Sequence, residues 1–405
     1  TGWFTPSGIR VLAAEFARRR SAFRLGAAWD GSALDGRAAA RVRAWLGRTL
    51  RPWRVVLVAL LLYTGAVLTA GGGDPLAFAT LGARFSDLDP LGNEGYDGQF
   101  VYYVARDLVG AAAHLDVPAY RFQRILYPLL ARLLALGNVR AIPWMLIALN
   151  IVAHTVGTAL VERLLIGLNT SRWYALTYCL WAGLIHAVRL DLHEPLSYAL
   201  LAAALLAHLR GRRGSAALFF ALAVFAKETA LVFVLAYLVW ALFARAWRSL
   251  AATGLAVMLP LAAWQWWLYR TFGAIGLGSG GALATPFEVI PFMGIARIAG
   301  ADLRAFFVFA LFLIPPYVVP SIAGIVASAR AFVAGDRSLW MWLLGANAAL
   351  IPFTPFSTFR EPWAMLRFGT GLVLAWLLFA AQRGSTVTLR RTTYWIFALA
   401  FLIRS

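Results

Sequence analysis

Uncharged apolar runs recur along most of this chain, and they limit its fold more than any other feature. They fall at about residues 55–70, 141–161, 173–188, 195–209, 215–226, 229–244, 250–269, 306–328, 339–352, 368–381 and 393–403. A helix needs about 20 apolar residues to cross roughly 30 Å of hydrocarbon. Inside hydrocarbon, every backbone polar group must be satisfied within the segment or its bundle. The pattern therefore predicts an all-α polytopic transmembrane helix bundle of about eleven spans. The two short runs around Lys227 set its least regular boundary. With 61% hydrophobic and only 14% charged residues, a soluble globular chain is excluded.

Charge then orients the bundle. The net charge is +19, and Lys227 is the only lysine, so arginine carries nearly all of it. With the N-terminus placed in the cytoplasm, the turns 162–172, 210–213, 245–248, 330–337 and 383–391 are short, arginine-rich and inner, as the positive-inside rule asks. That orientation explains the excess charge without nucleic acid, which is not an expected partner. Residues 1–54 form a basic amphipathic cytoplasmic segment. In it Ile9, Leu12, Phe16 and Phe23, and then Val42, Trp45, Leu46 and Leu50, recur between arginines. Such a segment either lies on anionic membrane lipid or serves as a solvated tail, and it offers a docking surface for a protein partner. The transmembrane domain spans 55–405, with outer loops at 71–140 and 270–304. Cys179 is the single cysteine, so no internal disulfide forms.

Nearly all carboxylates beyond the N-terminal segment fall on the outer side, and the inner turns are too short to build a site. The first outer loop is expected to carry two interfacial helices. Phe100, Val101, Val104 and Leu108 line one, and Ile125, Leu126, Leu129, Leu130, Leu133 and Leu134 the other. Asp97 sits where the first would begin. It is either a helix cap or a carboxylate placed at the membrane boundary, where sugar transfer needs a base for an acceptor hydroxyl. Arg121 and Arg124 share the loop and would suit a donor phosphate, as would Lys227 and Arg360 at other outer junctions. For each of these cations a structural salt bridge is the alternative. Gln99, Tyr103, Tyr127, His193, Glu194 and Glu228 are candidate substrate contacts. Lys227 and Glu228 interrupt a long apolar stretch, where a charge pair is costly unless it works or marks a turn. Asp87 and Asp89 form a DxD pattern that could hold a divalent cation such as Mg or Mn. The Gly-Leu-Gly-Ser-Gly-Gly stretch at 276–281 lacks a phosphate-loop ending and reads as a lid or linker.

Tyr96-Asp97-Gly98-Gln99-Phe100-Val101-Tyr102-Tyr103, followed by Arg124-Ile125-Leu126-Tyr127-Pro128, resembles the first-loop signature of GT-C membrane glycosyltransferases. It is most similar to the second GPI mannosyltransferase type and its bacterial relatives. The resemblance covers about residues 95–130. It implies inverting transfer of a hexose, mannose-like, from a polyprenyl-phosphate donor at the outer face of a bacterial plasma membrane, with Asp97 as the base. A transporter or flippase of a lipid-linked sugar is the alternative, but it would call for internal repeats and mid-span charges, which the chain lacks. A non-catalytic membrane subunit is the other.

Overall fold

The computed structural model describes residues 50–404, whose regular elements are all helices, with no strand among them. The basic segment read at positions 9–46 lies outside the described residues. Four helices are long and apolar enough to cross a membrane: Pro52–Ala70, Ile142–Gly167, Leu303–Val333 and Pro362–Gln382. Shorter apolar helices, Glu194–Leu209, Arg213–Ala226, Glu228–Phe243 and Leu339–Phe353, pack among them. Trp247–Phe272 is also long, with Pro260 inside it. The chain is thus a helical membrane protein, whose outward faces are apolar where no protein covers them. Leu61, Leu62, Phe307 and Leu311 are all more than half exposed. That arrangement suits lipid and not water.

Burial separates periphery from centre. Only 17% of the Pro52–Ala70 window is buried, against 83% for Pro362–Gln382. The last long helix is therefore the axis of the bundle. Glu194–Leu209 packs between Ile142–Gly167 and Arg213–Ala226. Trp181, Leu205, Phe220, Phe233 and Leu374 meet in the main core.

Three segments differ from the sequence expectation, each for a physical reason. The expected span at 173–188 is broken into Ala175–Cys179 and Ala182–Arg189. Trp181, with ψ 122, leaves the helical region between them, and its indole donates to Leu366 O at 3.0 Å and Thr370 Oγ1 at 3.1 Å. Irregular backbone is tolerated at this depth because protein, not lipid, surrounds it. The first-loop helix Asp97–Arg106 is not half-exposed at an interface, since all residues from Gly98 to Ala105 are buried. Arg132 caps its end by donating to Ala105 O at 3.0 Å and Arg106 O at 2.6 Å. The second expected interfacial helix is present as Leu126–Leu134, with Leu133 and Leu134 exposed. Finally, Leu303–Val333 carries a π turn at Ile314–Val318, where Pro315 and Pro316 remove two donors. Trp395 and Tyr394 donate to the carbonyls of those prolines.

Two glycines allow the close approaches that assemble one end of the bundle. A Cβ at Gly98 would lie 2.2 Å from Leu190 O, and one at Gly183 would lie 2.1 Å from Leu366 O. Backbone cannot yield there as a flexible side chain would. Gly183→Ala is expected to lower stability by about 1–3 kcal/mol through overpacking. Gly254→Ala, in a helix with nothing within 4 Å of the added Cβ, should be neutral or slightly stabilising. Thermal unfolding of both variants in detergent checks the contrast.

Candidate functional site

One end of these elements encloses a cleft of about 1150 Å³. Residues far apart in sequence line it: Tyr96 and Asp97, Arg121 and Arg124, Lys227 and Glu228, the strap 277–287, and Arg360, Glu361 and Arg367.

Asp97 lies in the first turn of its helix, where the helix dipole favours a negative charge. It is not the cap. Tyr96 occupies that position, and no side chain caps the helix. The carboxylate turns outward instead. Its Oδ1 accepts from Arg121 Nη1 at 3.0 Å, and its Oδ2 from Arg367 Nη1 at 3.2 Å. Burial would raise its pKa, but the Arg121, Arg367 and Arg124 guanidiniums outweigh that and hold the carboxyl well below the usual carboxylate range. Its side chain keeps 29% exposure toward the cleft.

Each cation is held in turn. Arg121 makes a two-pronged pair with Asp116, at 2.7 and 2.8 Å, and its guanidinium stacks 4.1 Å over the Phe100 ring. Asp116 also accepts from the backbone N–H of Ala282 at 3.0 Å, which ties the strap to the arginine. Burial raises the Asp116 carboxyl, but Arg121 and the backbone donors bring it below its ordinary value. Arg124 pairs with Glu228 through two bonds of 2.7 and 2.6 Å, and it also donates to the Tyr120 hydroxyl. Lys227 donates to Glu194 Oε1 at 2.5 Å, and Arg367 Nη1 stands 3.7 Å from the same oxygen. Lys227 and Glu228 do form the expected turn, between Arg213–Ala226 and a short 3₁₀ segment, Glu228–Ala230. Both side chains nevertheless join the network, because an extended Lys227 sends them in different directions. Arg360 is the exception among the described residues lining the cleft. It is exposed and lies 5.6 Å from the Phe356 ring, and it takes part in no carboxylate pair.

The sequence-derived candidates therefore divide. Asp97, Arg121, Arg124, Lys227, Glu228 and Arg360 converge on the cleft. Gln99 reaches its wall, but its amide is spent on the loop: Oε1 accepts from Gly82 N at 3.0 Å and Nε2 donates to Glu94 O at 2.5 Å. Glu194 is fully buried behind the cleft, as the counter-ion of Lys227. His193 is buried edge-on to Tyr127, and burial, reinforced by Arg124 and Lys227, keeps its imidazole neutral. Tyr127 is fully buried and donates to Leu146 O at 2.9 Å, while Tyr103 stacks on His114. His193, Tyr103 and Tyr127 support the wall rather than face substrate.

Asp87 and Asp89 are exposed outside the cleft. Asp89 Oδ1 accepts from Leu91 N at 3.0 Å, which closes a turn. Among the described residues no group of three or more His, Cys, Asp or Glu is placed to hold a metal. The strap is no free linker. Gln265 Oε1 accepts from Gly276 N at 2.7 Å and Leu277 N at 3.1 Å, and Thr285 N donates to Ser357 Oγ at 3.0 Å.

Glu361 and Arg367, which sequence placed with Arg360 at one junction that could line the cleft, do line it, and Tyr96 joins them. Arg367 touches Asp97, Glu194, Tyr96 and Glu361. Tyr96 donates its phenol to Glu361 Oε1. The signal for Arg367 was present in sequence as an arginine within an apolar run, which is functional by default. Comparison with protein-family models, curated proteins and solved structures finds no match.

Breaking a buried pair by removing one partner strands the other charge, at a cost of about 3–5 kcal/mol. Lys227→Met should fall at the low end, about 3 kcal/mol, because Arg367 remains near Glu194. Adding Glu194→Gln should recover part of the loss, as read by denaturation in micelles. The depressed carboxyls of Asp97 and Asp116 have a signed consequence. Their stabilisation is fully present above the unfolded value near about 4 and is lost as pH falls through it toward the folded value. On acidification below about pH 4, the thermal midpoint of the wild type should drop more than that of Asp97→Asn.

Proposed function

We propose that this cleft is the active centre of an inverting glycosyltransferase. It moves a sugar from a polyprenyl-phosphate donor to an acceptor hydroxyl at the outer face of the membrane. One observation carries the proposal. A cleft at the end of a membrane bundle gathers part-exposed carboxylates, Asp97 and Glu361 among them, beside an exposed arginine free of carboxylate partners, Arg360. Glycosyl transfer needs both charges: an anionic group for the acceptor proton, and a cation for the phosphate that leaves. The remaining cations are held by acids in fixed positions, so the site needs little reorganisation as charge develops.

The wider reading follows from the same placement. About eleven elements cross or enter the membrane in it, with the broken pair Ala175–Cys179 and Ala182–Arg189 and the shorter apolar helices completing the bundle. The arginine-rich turns face the cytoplasm and the cleft faces out. The first-loop Tyr-Asp-Gly-Gln-Phe and Arg-Ile-Leu-Tyr-Pro blocks support a GT-C-like enzyme of a bacterial plasma membrane, hexosyl in preference. Both blocks contribute directly to the cleft or its wall, through Asp97 and Arg124.

In this reading the acceptor hydroxyl loses its proton to a cleft carboxylate, and Asp97 is the sequence-derived choice. The test is purified protein with a panel of radiolabelled polyprenyl-phosphate hexoses and pentoses, read as release of polyprenyl phosphate. Wild type should turn over one donor, and Asp97→Asn should lose about 100-fold or more in rate. Arg360→Ala should raise the donor KM. A chelator arm reads any dependence on Mg or Mn. Equal turnover in wild type and Asp97→Asn would remove Asp97 from the chemistry, and no turnover with any donor would favour a transporter or a subunit.

A further inference from the structure

This inference rests on the glycosyl-transfer reading and deepens one step of it. Among the described residues, five carboxylates line the cleft. Asp116 and Glu228 are each taken by two nitrogens of one arginine, and Glu94 pairs with Arg84. The other two, Asp97 and Glu361, both approach Arg367 but have unlike surroundings. Each oxygen of Asp97 already meets a guanidinium, Arg121 at 3.0 Å and Arg367 at 3.2 Å. A carboxylate so held stays ionised but is a poor proton acceptor, because a proton would have to displace two charge-assisted bonds. Glu361 is 43% exposed, against 29% for Asp97. Its hydrogen bond from the Tyr96 phenol and its approach to Arg367, at 3.9 Å, both fall on Oε1. Oε2 is left to the cleft.

The backbone holds this second carboxylate as firmly as the first. Glu361 is the N-cap residue of Pro362–Phe368, with Pro362 starting the helix. Tyr96 is the N-cap residue of Asp97–Arg106. The two helix starts face each other. The adjacent residues Tyr96 and Asp97 dock on Glu361 and Arg367 respectively, while Arg367 Nη2 also donates to the Tyr96 hydroxyl at 3.1 Å. The spacing between the two carboxylates is thus set by four side chains.

We infer that Glu361 takes the proton of the acceptor hydroxyl, and that Asp97 is a positioning residue acting through Arg121 and Arg367. The acceptor O–H bond breaks and its proton goes to Glu361 Oε2. The oxygen's electron pair forms the new bond to the anomeric carbon, on the face opposite the leaving group. The bond from that carbon to the phosphate oxygen breaks, and its electrons leave with polyprenyl phosphate. Glu361 returns the proton to water once product departs. Tyr96, from the first-loop helix, and Arg367, from the helix that Glu361 itself begins, are the titratable or charged groups that approach Glu361, and the adjacent Arg360 directs its guanidinium over Phe356.

The test uses the full chain in detergent, with the donor that the panel identifies. Glu361→Gln should lower kcat by about 100-fold or more and leave the donor KM within about threefold, since Glu361 does not hold the phosphate. Glu361→Asp, which keeps the charge at shorter reach, should retain more activity than Glu361→Gln. A near-wild-type kcat in Glu361→Gln overturns the inference. A simultaneous loss in Asp97→Asn would then leave the transferase reading standing with Asp97 as base. If wild type releases no polyprenyl phosphate from any donor, the transferase reading falls and this inference falls with it.

Discussion

The structure depends on a chain of buried charge pairs at one end of an apolar bundle. It runs from Asp116 through Arg121, Asp97, Arg367 and Glu194 to Lys227, with Arg124 and Glu228 beside it. None of these ions would tolerate such surroundings alone, because the cost of leaving water exceeds what one neighbour returns. Held together, each carboxylate sees one or two cations, and each arginine is further shielded by a ring: Phe100, Tyr120 or Tyr96. The network links the first loop, the turn between two short helices and the axial helix, so that end cannot rearrange one element at a time.

That constraint accounts for the irregular parts of the fold. A straight helix through 173–188 would not let Trp181 donate to Leu366 O or allow Gly183 to reach that carbonyl. Arg367 lies one residue beyond. The break is therefore part of what aims the arginine. In the same way Gly98 lets the first-loop helix press on Leu190, and the adjacent Asp97 is brought between two guanidiniums. The strap 276–287 is anchored to Asp116, Gln265 and Ser357, so the cover of the cleft reports on the same charges that line it. The function we propose uses this rigidity. Preorganised charges do their work in transition states without moving.

Much of the architecture was legible because hydrocarbon imposes a simple rule on sequence. The apolar runs at 55–70, 141–161 and 306–328 lie within helices, and Asp97 and Leu126 open the helices expected in the first loop. The convergence of Arg121, Arg124, Lys227 and Glu228 was legible in part, since charges in apolar surroundings attract notice. Their partners were not. Nothing local says that Lys227 belongs to Glu194 or that Arg124 belongs to Glu228, because the pairs form across helices more than thirty positions apart. Tyr103, Tyr127 and His193 have the right chemistry for sugar contacts, yet packing turned them into the wall. Gln99 was consumed by a loop carbonyl and a loop N–H that sequence does not place.

By itself the sequence determined the solvent. Long uncharged runs call for a helical membrane bundle, and arginines and carboxylates concentrate in different connections along it. Those are sums over composition and period, and they survive ignorance of any contact. The tertiary structure decided which charges meet, and so which are held and which are free. Asp97 became a clamped carboxylate because Arg367 arrives from 270 residues away. Glu361 kept an oxygen for the cleft because Tyr96 took only the other. The physical reason is distance: a pair of charges acquires its energy within a few ångströms, and only the folded chain sets that separation.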